Sequence, residues 1–257
     1  MAKLTDRYDD KNIIELAKKD FEKEQRSKLP SIIVELASKG IIYPETNPLR
    51  SGKVEMRYMT AYDEDILTNT SYMREGVILD KLLEELIISD IDYKTVAQVD
   101  KDSLILNARI VSYGAEYPVK INDPKTKKEL NRVVDLSKLT AKPFTLKSDK
   151  NGEFEYIVSD DVKLKFVFLS SKDIESIGKD NLISGLLSKM ICQVNNTRSS
   201  ADVEHFIQYE FLAKDSKDFR TFISENTPGI DYNYEFEGDD GGTFTARFQV
   251  GPDFFWF

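Results

Sequence analysis

Residue types that commonly do chemistry are few in this chain, and each can be weighed alone. The one histidine, His205, lies in Asp202-Val203-Glu204-His205-Phe206-Ile207. A nearby carboxylate could orient its imidazole as a base near neutral pH, but no nucleophile motif accompanies it. His205 therefore reads as a structural or exposed residue. The one cysteine, Cys192, has no partner for an internal disulfide, which suits a reducing cytoplasm. It falls in an apolar helical pattern over residues 182–194, so the expectation is a buried, inert thiol. Asp239-Asp240 would chelate a hard cation only if other oxygens converged on it, and a glycine-rich hairpin tip explains the same residues. The sequence contains no phosphate-binding glycine loop, zinc-protease helix motif or nucleophile elbow. Carboxylates are plentiful, yet a pair at glycosidase spacing is not legible in a linear sequence. The residues point to no catalytic group, no cofactor and no metal.

The background to these residues is ordinary. With 257 residues, 40% hydrophobic and 32% charged, the chain can bury a substantial core and has no composition of disorder. No stretch approaches the apolar length of a membrane span, and the start, Met1-Ala2-Lys3-Leu4-Thr5-Asp6, lacks a signal-like apolar run. A net charge of −9 disfavours broad contact with nucleic-acid phosphates. The local cluster Lys125, Lys127, Lys128 and Arg132 has no interleaved aromatics and reads as a solvated hairpin.

The elements that would position any site are readable from their periods. Residues 9–28 carry Ile13, Ile14, Leu16, Ala17 and Phe21 near one helical face, ended by Leu29-Pro30. Val54 to Met59 reads as a strand, followed by a helix cap at Thr60 with Asp63 three residues on. Residues 77–88 form an apolar helix, and a second helix runs from about Asp102 to Tyr113, stopped by Gly114. Tyr117, Val119 and Ile121 alternate, turn through Asn122-Asp123-Pro124-Lys125 and return through Val133 and Val134 as a β-hairpin. Residues 144–158 supply further strand around the turn Ser148-Asp149-Lys150-Asn151-Gly152.

The same order then recurs about 110 positions later. A strand, Lys163 to Leu169, meets a cap at Ser170 with Asp173, then the apolar helix 182–194. Lys214-Asp215-Ser216 echoes Lys101-Asp102-Ser103, Pro228-Gly229 closes the next helix, and Tyr232, Tyr234 and Phe236 begin a second hairpin. It turns through Gly238-Asp239-Asp240-Gly241-Gly242 and returns through Phe244, Ala246 and Phe248. The expected fold is α+β: internally duplicated strand–helix–helix–β-hairpin units, near residues 50–135 and 160–250, around one core. An N-terminal helical arm, 1–30, precedes this 31–257 domain.

Two apolar features exceed what such a core requires. One is the run Phe254-Phe255-Trp256-Phe257, which must either pack into the chain's own core or anchor a partner. The other is the stripe on the arm, either an edge packed on the domain or a docking surface for a neighbour. Ile13, Ile14, Phe21, Phe254, Phe255, Trp256 and Phe257 are the candidate partner-binding residues.

Several stretches together carry a resemblance. They are Leu36-Ala37-Ser38-Lys39-Gly40-Ile41-Ile42-Tyr43-Pro44, Val54-Glu55-Met56-Arg57-Tyr58-Met59-Thr60-Ala61 and Asp63-Glu64-Asp65-Ile66-Leu67. Further on come Leu79-Asp80-Lys81-Leu82-Leu83, the run Ala108 to Tyr117, and Phe254-Phe255-Trp256. In their order and spacing the chain resembles the baseplate hub or hub-assembly protein family of T-even-like contractile-tailed bacteriophages, over about residues 36–257. The resemblance implies a virion or virion-assembly role without catalysis, synthesis in the host cytoplasm, and other baseplate or hub proteins as partners. It implies for many relatives a zinc-knuckle turn, Cys-Pro-x-Cys-Gly in the first hairpin and Cys-x-x-Cys-Gly in the second. Here the turns are Asp123-Pro124-Lys125-Thr126-Lys127 and Gly238-Asp239-Asp240-Gly241-Gly242, with no sulfur at any of the four places. Ala37 and Tyr58 also depart from prolines that the resemblance leads one to expect. The competing class is a protein-binding adaptor outside any virus, and an enzyme ranks third.

Overall fold

A computed structural model describes residues 28–159, 161–178, 182–248 and 252–255. Short antiparallel strands and helices alternate along the chain, so the class is α+β, as expected. The chain divides into two compact units, one of residues 1–33 and 54–90, the other of residues 34–53 and 91–257. Each has its own local logic.

Strand β1 (Ser31–Glu35) pairs with β2 (Lys53–Arg57), and the first unit continues through α1 (Ala61–Leu67), α2 (Thr70–Glu75) and α3 (Ile78–Leu86). The α1 cap forms as its sequence predicts: the Asp63 carboxylate accepts the Thr60 backbone N–H at 2.7 Å and its hydroxyl at 2.9 Å. The same carboxylate receives both terminal nitrogens of Arg57, at 2.6 and 2.7 Å. With Arg57 3% and Asp63 0% exposed, this is a fully desolvated bidentate pair. In α3, Leu82, Leu83 and Leu86 are buried. The helix stops short of residue 88 because Ile87 turns extended (ψ 121) and bridges Met56.

The second unit contains, in order, α4 (Gln98–Tyr113), β3 (Glu116–Asn122), β4 (Glu129–Asp135), β5 (Phe154–Ser159), β6 (Val162–Phe166), α5 (Ser171–Glu175), α6 (Leu182–Met190), β7 (Ile191–Val194), α7 (Ser200–His205), α8 (Ala213–Glu225), β8 (Asn233–Glu237) and β9 (Thr243–Arg247). Segment 34–53 is fastened to α4 at a buried carboxylate, Asp100, and at Ser103, whose Oγ accepts the Ala37 N–H at 3.3 Å. Asp100 accepts the Ser38 N–H at 2.8 Å, the Ser38 hydroxyl at 2.7 Å and the Tyr43 hydroxyl at 2.8 Å. Burial raises the pKa of Asp100 against the lowering pull of those donors. Within the segment, Gly40 takes φ 76, and a Cβ there would fall 2.4 Å from the Arg50 carbonyl oxygen, so only glycine fits.

Sheet β5-β6-β7 corrects two expectations. The helix read over 182–194 ends at Met190, and residues 191–194 leave it to pair with β6, Leu164 facing Val194 and Phe166 facing Ile191. Cys192 is thus half-buried in a strand, its thiol donating to the Lys165 carbonyl at 3.3 Å. Strand structure in 144–158 begins only at Phe154. The α5 cap repeats that of α1, with Asp173 accepting the Ser170 N–H at 2.9 Å and hydroxyl at 2.6 Å. Phe154 and Phe166 stack at 5.5 Å, and Phe166 meets Phe219 of α8 edge-on at 5.5 Å, forming an aromatic centre closed to solvent.

Candidate functional site

Hairpins β3–β4 and β8–β9 are where the second unit brings sequence-distant charge together. Their registers follow the expected alternation: Val119 faces Arg132, Ile121 faces Leu130, and Phe236 faces Phe244. Val119, Leu130, Val134 and Phe236 are buried, so each hairpin has one covered face. The two turns meet. Lys125 Nζ lies 2.9 Å from Asp240 Oδ2, and Lys128 Nζ lies 3.5 Å from Asp239 Oδ2. Asp123, 1% exposed, accepts the Lys125 and Thr126 N–H groups at 2.7 and 3.1 Å on one oxygen, and the Asp239 N–H at 3.4 Å on the other. Farther down, Arg132 Nε donates to the Glu237 carbonyl at 2.9 Å. The Thr126 N–H, first among these donors, holds the Asp123 carboxyl below its usual range, and Lys125 does the same for Asp240. Between β3 and β9 lies a groove of about 490 Å³ lined by residues 117–122 and 246–248.

The aromatic run resolves into an interior part. Residues Pro252–Phe255 form one 3-10 turn. Phe254 and Phe255 are 0% and 1% exposed. Phe254 meets Tyr117 edge-on at 5.0 Å, and Phe255 meets Tyr113 at 6.3 Å. Arg109, also buried, donates from Nε to the Phe254 carbonyl at 3.0 Å and from Nη1 to the Gly114 carbonyl at 2.9 Å. Its guanidinium sits 5.1 Å from the Tyr113 ring centre. Of the residues singled out by sequence, Phe254 and Phe255 are therefore packed into the chain's own core. Ile13, Ile14, Phe21, Trp256 and Phe257 lie outside the described residues.

Other large apolar side chains stand open. On α6, Leu182, Ile183 and Leu186 are 60%, 53% and 37% exposed, and Tyr209 and Leu212, between α7 and α8, are 67% and 66% exposed. Ile183, Leu187, Ile207 and Phe211 line a groove of about 260 Å³. The available signal was α6 itself: Leu182-Ile183-Ser184-Gly185-Leu186-Leu187 has apolar residues on more than one face, more than a single core contact covers. His205 is exposed, with Nδ1 3.1 Å from Glu210 Oε1 and its ring against Tyr209. Burial pushes the Cys192 thiol up to about 11, away from thiolate chemistry.

A family model described as T4 bacteriophage base plate protein matches residues 41–246. The chain belongs to the T4 bacteriophage base plate protein family. Membership gives it a structural or assembly role in a phage baseplate. The matched span takes in hairpin β3–β4 and hairpin β8–β9 as far as Ala246, and stops short of the buried Phe254 and Phe255. No curated protein and no solved structure matches the chain.

The zinc that the resemblance implies for relatives can be tested against this baseplate protein's own turns. The four places hold Asp123, Thr126, Gly238 and Gly241, and two lysine ammonium groups stand between the tips. Among the described residues no three His, Cys, Asp or Glu side chains are grouped to hold a metal ion. A structural zinc needs about four soft or borderline ligands around it, and these residues do not fit one.

Proposed function

We propose that this baseplate protein works in the hub, as a subunit or as an assembly factor, by protein–protein contact and without turnover. The observation that carries this reading is the set of large apolar side chains left open on α6 and after α7, next to a groove of matching character. The N-terminal stripe of Ile13, Ile14 and Phe21, with Trp256 and Phe257, supplies further contact to other baseplate or hub proteins. Phe254 and Phe255 serve it indirectly, by fixing the segment that carries their neighbours. The protein is made in the host cytoplasm and acts in the tail. The halves 50–135 and 160–250 descend from an internal duplication, a reading supported by the repeated element order and the two like caps at Thr60 and Ser170.

Mass spectrometry of purified tails tests the role. Fixed stoichiometry in finished particles identifies a subunit; a complex with hub proteins that is absent from finished particles identifies an assembly factor. Ile183→Asp with Leu186→Asp should leave the isolated fold intact and lower incorporation or complex formation. Undiminished assembly by that variant would remove α6 from the contact surface.

A further inference from the structure

We propose that the two hairpin turns form an electrostatic clasp, one that opens by charge alone while the strands beneath it stay closed. The turns have opposite character. Turn 123–128 carries Lys125, Lys127 and Lys128, whereas turn 238–242 carries Asp239 and Asp240. The described contacts across the tips are polar: Lys125 to Asp240, Lys128 to Asp239, and the Asp239 N–H to Asp123. Buried apolar contact begins only farther down the strands, at Val119, Leu130 and Phe236.

Exposure decides how firmly such a junction holds. In the two ion pairs the lysines are 65% and 70% exposed and the aspartates 44% and 39%. Pairs this open are weak singly and are screened over about 8 Å at physiological salt. Asp123 has a different task. Two of its three amide donors, Lys125 and Thr126, come from its own turn, so that turn keeps its shape when the tips part. Parting therefore breaks two screened pairs and one long hydrogen bond and uncovers the Asp123 carboxylate, while the Arg132–Glu237 bond beneath holds, and it leaves two preformed turns of opposite charge. No metal fits between them to make the closure permanent. This inference stands apart from the hub reading.

Hydrogen exchange on the full chain tests it. The Asp239 amide is the one to follow, because it donates from one tip to the other. Lys125→Glu with Lys128→Glu should speed exchange in turn 238–242 on the order of tenfold, the combined weight of two exposed ion pairs. Strands β4 and β8 should keep their protection. Raising sodium chloride to roughly 0.5 M should move the unmodified protein part of the way. Swapping the pair, Lys125→Asp with Asp240→Lys, should restore slower exchange than Lys125→Asp alone. Unchanged exchange in the turn after reversal, strands opening along with the tips, or a swap no better than the single variant would each overturn the clasp.

Discussion

Removing one ring, Phe254→Ala, separates an interior role for the aromatic run from a partner-anchoring one. Phe254 is fully buried between Tyr117 and Phe255, at 5.0 and 5.7 Å. Truncating a buried phenylalanine costs about 3–5 kcal/mol, the lost transfer energy plus the cavity left behind. If the short turn swings outward to avoid the cavity, Arg109 loses the carbonyl it holds at 3.0 Å. A buried donor without its acceptor adds about 1–3 kcal/mol, so relaxation does not rescue the variant. Domains of this kind hold about 5–15 kcal/mol in all, so the loss is a large share. Urea unfolding followed by far-ultraviolet circular dichroism should show the midpoint falling by roughly 1–2 M with the slope unchanged. A cycle with Tyr117→Ala should return a coupling of about 0.5–1.5 kcal/mol for the edge-to-face pair. A variant that melts with the parent but fails to enter tails would refute this reasoning and make Phe254 an anchor.

Three further outcomes are expected. Asp63→Ala should destabilise the first unit by about 3–5 kcal/mol in chemical denaturation, since it strands the Arg57 charge; replacing both by apolar residues should cost less. Asp100, its carboxyl raised by burial, contributes stability that is complete below the ordinary carboxylate pKa of about 3.9 and is lost as pH rises through the raised value. The melting-temperature advantage over Asp100→Asn should therefore be largest near pH 4 and shrink toward neutrality; a widening gap would contradict it. Lys127 sits at φ 59, a left-handed conformation that glycine adopts without steric cost, so Lys127→Gly should raise stability by up to about 1 kcal/mol in the same denaturation assay.

What could be read in advance was local. The caps at Thr60 and Ser170 need only a partner three residues on, the stop at Gly114 needs only its own φ of 87, and hairpin strands declare themselves by alternation. What could not be read depends on distant chain. Residues 191–194 have a helical apolar pattern, and only the ladder with β6 makes them a strand. The run of α7 into a π turn at Phe206–Glu210 leaves no periodic trace. Asp100 looks like any acidic residue in a first turn until Ser38 and Tyr43 arrive from 62 and 57 positions away. The aromatic run announced that it must be buried somewhere, but the address came from Arg109, 145 positions earlier. The opposite charges of the two turns were visible, but that they meet across 115 positions was not.

The division of the chain also has a consequence for its synthesis. Residues 54–90 belong to one unit, yet they fall between two stretches, 34–53 and 91–257, of the other. A ribosome adding about 5–20 residues per second therefore delivers Ser38 and Tyr43 seconds before α4 brings Asp100 to receive them. Ser38 waits in that interval for Asp100. In that interval both stretches of the smaller unit, 1–33 and 54–90, are already made, so it is the first of the two that can close. Closing the loop over that insert costs little more for a long insert than for a short one, because the entropy grows only with the logarithm of length. The emergence of α4 is thus the step at which the larger unit first becomes able to shut on segment 34–53.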